Sequence, residues 1–90
     1  MASGADLATL LDQVTVLTVT YNSSHCVPAL AEGLRGVPHV TVVDNASGDD
    51  SCAAVAAALP AARTIRLPKN LGYGAANNAG LAEVTTRYAL

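Results

Sequence analysis

The feature that most constrains this chain is a rhythm of strand-like starts near residues 14, 40, 64 and 87, spaced by 26, 24 and 23 residues. Each interval holds an apolar, β-branched run, then a polar turn, then residues at helical spacing. That period is the length of a β-α-β crossover, so it predicts a parallel sheet with helices packed on its faces. Val14-Thr15-Val16-Leu17-Thr18-Val19-Thr20 is the clearest strand, and its continuous apolarity suits a strand covered on both sides. The predicted fold class is α/β, an open and mostly parallel sheet in the order 3-2-1-4. Residues 1–13 read as a loose or briefly helical lead-in, and residues 14–90 as one domain halted where its fourth strand starts.

The first strand ends in Tyr21-Asn22-Ser23-Ser24, after which Val27, Leu30, Ala31 and Leu34 follow a helical period, with Pro28 in the first turn and Gly36 as a stop. The second strand, Val40-Thr41-Val42-Val43-Asp44, runs into Asn45-Ala46-Ser47-Gly48-Asp49-Asp50. Ser47 and Asp50 are spaced like a capping box. Cys52, Val55, Ala56 and Leu59 then form the expected buried face of a helix that Pro60 ends. Thr64-Ile65-Arg66-Leu67 is the third strand, and Leu71 to Leu81 a glycine-bearing loop turning into a helix. Arg87-Tyr88-Ala89-Leu90 begins a fourth strand.

Composition bounds the function. The chain has 90 residues, a net charge of −2, and no Trp or Phe. This argues for one small globular domain and against a nucleic-acid backbone binder. Basic residues collect late, at Arg63, Arg66, Lys69 and Arg87. Cys26 and Cys52 form no CxxC, and no secretory leader pattern opens the chain, so both read as buried free thiols of a cytoplasmic protein. No apolar run approaches the ~18 residues of a membrane span. His25 and His39 lack metal-ligand spacing, and neither a G-x-S-x-G elbow nor a Walker A sequence is present.

In such a sheet the loops after the strands share one edge, where ligands bind. Three loops therefore converge: Tyr21-Asn22, Asp44-Asn45 with Asp49, and Lys69-Asn70 through Gly74. They offer an aromatic face, two carboxylates, several amides and an ammonium. Asp44 stands out, because an acid ending a Val-rich strand needs a local partner or a ligand. Gly72, Gly74 and Gly80 each weaken a helix by about 1 kcal/mol relative to alanine, which points to close approach by a ligand or neighbouring backbone. Gly72-Tyr73-Gly74-Ala75-Ala76-Asn77 narrowly misses GxGxxG, and the first loop has no glycine. Dinucleotide binding is thereby disfavoured.

Taken together, Val16 to Asn22, Val42-Val43-Asp44-Asn45-Ala46-Ser47-x-Asp49 and Asn70-Leu71-Gly72-Tyr73-Gly74-Ala75-Ala76-Asn77-Asn78-x-Gly80 resemble the family 2 glycosyltransferases, nearest the rhamnosyltransferase-like and galactofuranosyltransferase-like branches. The resemblance implies the Rossmann-like nucleotide-binding half of a GT-A fold. It implies that Thr20, Tyr21 and Asn22 line a base pocket, that Asp44 holds the base or ribose, and that Asn45 and Asp49 support that turn. Asn70, Gly72 and Asn77 would shape the nucleotide-sugar pocket, with Lys69 beside them. The implied partner is a UDP- or dTDP-linked sugar, and the implied chemistry is inverting transfer to an acceptor hydroxyl. Full-length relatives use a divalent cation, Mg or Mn, on an Asp-x-Asp that follows the fourth strand. With that motif and the catalytic base outside the sequence, the expectation is a catalytically silent fragment that itself holds no metal. The alternatives are a non-catalytic half-domain that binds nucleotide or pairs through its open sheet edge, and a dinucleotide-binding oxidoreductase fragment.

Overall fold

A computed structural model describes residues 4–90, with side-chain environments from residue 7 onward. The elements run α1 (Gly4–Leu11), β1 (Val14–Thr20), α2 (Val27–Gly33), β2 (Val40–Asp44), α3 (Ser51–Ala58), β3 (Arg63–Arg66), α4 (Tyr73–Leu81) and β4 (Tyr88–Ala89). The four strands form one parallel sheet in the order β3-β2-β1-β4, as the spacing predicts. Within the lead-in, residues 4–11 are helical, and Met1 to Ser3 lie outside the described residues. No helix of the described residues is long and apolar enough to cross a membrane.

Each strand does what its composition allows. β2 is central and buried at all five positions, so its β-branched side chains pack on both faces. Val40 and Val42 point to one core, closed by Val27 and Val55 from α2 and α3. Val43 belongs to the other, together with Leu67 and with Ala76 of α4. Val42, Val43 and Val55 are fully buried, each stabilising the fold by roughly 1.5–3 kcal/mol. β1 is half-buried from Val16 to Val19, and beyond β4 the Leu90 carbonyl accepts from Leu17 N–H at 2.9 Å. β3 begins at Arg63, one residue before the expected start, and Arg87 precedes β4.

Three packing expectations are corrected. Ala56 is exposed, and α3 turns Ser51 and Val55 inward instead, with Cys52 half-buried. The sequence Ser51-Cys-Ala-Ala-Val-Ala-Ala-Ala58 is apolar around its whole circumference, so periodicity alone does not choose its buried face. Cys26 is exposed, so the two free cysteines are not buried thiols. The capping box does not form: helix α3 starts four residues after Ser47, and Asp50 makes no side-chain cap bond.

The glycines divide by cause. Gly72 has φ +84°, a backbone region that side chains disfavour, at the entry to α4. Gly80 lets α4 rest on the sheet, since a Cβ there would overlap Leu17 Cδ1 and lie 2.8 Å from Val43 Cγ2. A Cβ at Gly74 meets nothing within 4 Å. Gly80→Leu should therefore cost about 1–3 kcal/mol by overpacking, while Gly74→Ala should gain up to about 1 kcal/mol of helix propensity. Urea unfolding midpoints measure both; equal midpoints for the two variants would contradict this packing.

Candidate functional site

The loops after β1, β2 and β3 meet at the carboxyl edge of the sheet, and a buried carboxylate organises them. Asp44 ends β2 with 1% of its surface exposed. Thr20, the last residue of β1, donates its hydroxyl to Asp44 Oδ1 at 2.9 Å. Ser47 donates its hydroxyl to the same oxygen at 2.6 Å and its backbone N–H to Oδ2 at 3.0 Å. The parallel register sets this up by placing Thr20 directly opposite Asp44. The Ser47 hydroxyl also accepts Asn22 N–H at 2.9 Å, so one side chain joins the carboxylate to the first loop. Residues Asn22 and Ala46 hold φ at +47° and +61°, conformations that the surrounding bonds stabilise against the usual preference.

Asn45 performs the matching task toward the third loop. It is 4% exposed, donates from Nδ2 to Asn70 Oδ1 at 3.0 Å, and accepts Leu71 N–H on Oδ1 at 3.0 Å. Asn70 Oδ1 further accepts Gly72 N–H at 2.8 Å, which fixes the approach to α4. Between the first and second loops, Gly48 N–H donates to Asn22 Oδ1 at 2.7 Å, Ser23 N–H to Ser51 Oγ at 2.8 Å, and Ser24 N–H to Asp49 Oδ2 at 3.2 Å. Asp49 Oδ1 accepts Ser51 N–H at 3.0 Å and also the Ser51 hydroxyl. Among the described residues, no buried side-chain nitrogen or oxygen lacks a partner.

The nine residues singled out from sequence therefore separate by position. Thr20, Asp44, Asn45 and Asp49 build the wall that joins the loops. Tyr21, Asn22, Asn70 and Gly72 lie exposed on the rim. Asn77 sits half-buried on α4 and takes no part in the network. Lys69 is exposed and makes no ion pair with any described residue. Tyr73 joins the rim with 72% of its surface exposed. Sequence reading missed Ser47 and Ser51 as network members. Their signal was the Asp44-x-x-Ser47 and Asp49-x-Ser51 spacing, the offsets at which a carboxylate bonds its own following turn.

A cleft of about 380 Å³ opens at this edge among Ala46, Ser47, Arg66, Leu67 and Pro68. Another of about 430 Å³ lies at the opposite end of the sheet, between residues 28–40 and 58–62. Its lining is largely apolar, and its charges are the exposed Glu32 and Arg35, 3.6 Å apart in an ion pair. The polar side chains converge at the first edge and not at the second. Among the described residues, no group of three or more His, Cys, Asp or Glu is arranged to hold a metal ion.

The Ser51 hydroxyl holds the Asp49 carboxyl down at about 2, opposed by burial and helped by N–H bonds from Ser51 and Ser24. A depressed carboxyl stabilises the fold above its unfolded value, and that contribution disappears as pH falls through the folded one. The acid limb of a stability–pH curve should therefore fall between pH 3.8 and about 2 more steeply in the unsubstituted protein than in Asp49→Asn; parallel limbs would contradict this. Asp44→Ala removes the acceptor from three buried donors and should cost roughly 2–4 kcal/mol in urea unfolding. A loss below about 0.5 kcal/mol, the range of an ordinary surface change, would show that the carboxylate does not organise the edge.

The geometry, a parallel sheet whose carboxyl edge is built from three cross-linked loops, agrees with a match over most of the chain. A family model described as Glycosyl transferase family 2 matches residues 15–90. No curated protein sequence matches the chain significantly. The match spans β1 to β4 and all three loops of the edge, and on that basis the chain belongs to glycosyl transferase family 2.

Proposed function

We propose that this chain binds the nucleotide end of a nucleotide diphosphate-sugar, as the donor-binding part of an inverting glycosyltransferase that acts on an acceptor hydroxyl. The observation that carries this reading is the cross-linking of three strand-to-helix loops at one sheet edge through Asp44 and Asn45. Family membership supplies the ligand class. The rim supplies suitable chemistry: Tyr21 offers an aromatic face to a base, and Lys69 an exposed cation to a diphosphate. The first-turn N–H groups of α4 emerge in the same loop and favour anions. On this reading Asn22, Asn70, Gly72 and Asn77 shape the pocket, while Thr20, Asp44, Asn45 and Asp49 hold the pocket's walls in place. UDP and dTDP are the proposed nucleotides, in a rhamnosyltransferase- or galactofuranosyltransferase-like context within the cytoplasm.

Transfer requires a general base at the acceptor hydroxyl. Asp44 and Asp49 are both engaged by serine and threonine groups or backbone N–H, so neither carboxylate is free for that task. The chain by itself is proposed to bind donor without transferring sugar. A dinucleotide-binding reading finds little support, since the loop after β1 carries no glycine.

Calorimetric titration with UDP, dTDP and NAD, with and without manganese, tests the reading. Binding of UDP or dTDP in preference to NAD is expected. Binding of NAD alone would overturn it, and sugar transfer by the isolated chain would overturn the proposal that it is silent.

A further inference from the structure

Helix α1 is joined to the amino end of the sheet through an ionisable contact. Its eight residues make a helix that is marginal in isolation, so its order depends on what it touches. Burial contributes little, because Leu7 and Leu10 are both exposed. A cleft of about 520 Å³ lies between Ala8, Leu11 and Asp12 on one side and Gly36 and Pro38 of the turn before β2 on the other. The contact pairs Asp12, which follows the helix, with His39, which precedes β2: Nε2 lies 2.8 Å from Asp12 Oδ1. A carboxylate only accepts, so Nε2 carries a hydrogen, and the proton of the charged form adds at Nδ1. The neighbouring backbone is anchored to the sheet. The His39 carbonyl accepts Val16 N–H at 2.9 Å, and the Gln13 carbonyl accepts Tyr88 N–H at 2.9 Å. The chain is thus fixed from Gln13 onward, and α1 pivots ahead of it.

Charge gives the contact its leverage. Asp12 stands at the carboxyl end of α1, where unpaired carbonyls favour a cation, and the last turn holds no basic residue. An imidazolium at His39 answers both the carboxylate and the helix end. The other charged groups around His39 are balanced among themselves. Arg63 and Glu83, which line a cleft of about 190 Å³ with His39, are paired at 2.8 Å. Arg35, in the turn before β2, lies 3.6 Å from Glu32. We propose that Asp12 and His39 form a pH-sensitive clasp, which holds α1 against the sheet while the imidazole is charged and loosens as it becomes neutral. Histidine makes that change between about pH 5 and 8. The neutral ring retains one hydrogen bond and loses the ionic attraction, which in an exposed pair is modest. His39 and Asp44 lie at opposite ends of the same strand, so the clasp stands apart from the loops proposed to bind nucleotide.

NMR titration of the 90-residue chain between pH 5 and 8.5 tests this. The His39 ring and the backbone amides of residues 7–12 should shift with one common midpoint. Amide exchange of α1, corrected for the intrinsic effect of pH, should show opening that rises about two- to fivefold from pH 5 to pH 8, the scale of one exposed ion pair. Val42 and Val43 should stay protected throughout, which separates release of α1 from unfolding. Asp12→Asn keeps an acceptor and removes the charge, so the response of α1 should vanish while His39 still titrates. His39→Gln should leave α1 in its loosened state at every pH. A His39 ring that titrates while the α1 amides stay unmoved would overturn the clasp. So would a response of α1 that survives in either variant, since His25 remains in both.

Discussion

A carboxylate removed from water must be satisfied locally, and the arrangement of the loops at the carboxyl edge of the sheet follows from that requirement at Asp44. Three donors meet it, two from Ser47 and one from Thr20. Satisfying Asp44 fixes Ser47, and Ser47 in turn holds the backbone of Asn22. The next residue in the chain, Asn45, reaches the other way and holds Asn70 and Leu71. Loops distant in sequence thus become one surface because a single strand end cannot leave its charge unpaired. Hydrogen bonds to a charged group contribute more than neutral ones, so the bonds accepted by Asp44 and Asp49 are the stronger ties among the loops.

The sheet makes this geometry available. Parallel pairing sets Thr20 opposite Asp44 and Asp44 opposite Arg66, so the three strands end at one level. The helices are short, from seven to nine residues, and would be marginal in isolation. Packing holds them: α2 and α3 close one core around Val42, and α4 closes the other over Val43 through its small face at Ala76 and Gly80. The loops gain order from both sources, anchored below by the buried strands and bridged above by side-chain bonds. The rim residues Tyr21, Leu71 and Tyr73 stay exposed on those anchored loops.

Much of this was legible in sequence, and the reasons are specific. Regular spacing of β-branched runs determined strand order, since right-handed crossovers leave few topologies open. The motifs around Asn22, Asp44 and Asn70 marked the three loops and the family. Spacing did not reveal which groups face outward. Asp44 reads in sequence as an acid that needs a local partner or a ligand, and Thr20 and Ser47 are the local partners the structure supplies. Ser47 looked like a helix cap because its distance to Asp50 fits a capping box, yet a buried carboxylate three residues earlier competes more strongly for its hydroxyl. Ala56 and the cysteines were misplaced for a different reason: in an alanine-rich helix, and in a turn ahead of one, hydrophobicity carries little directional information.

The central claim is that the Asp44 carboxylate makes the three loops a single unit. Native-state amide hydrogen exchange in the unsubstituted protein and in Asp44→Asn tests it most directly, because the asparagine keeps the size of the side chain while turning an NH₂ toward a donor. The account predicts that the N–H groups of Asn22, Ser47, Gly48 and Leu71 lose protection together, while those of Val42 and Val43 in the central strand retain theirs. Loss of protection confined to Ser47, with Asn22 and Leu71 unchanged, would contradict it.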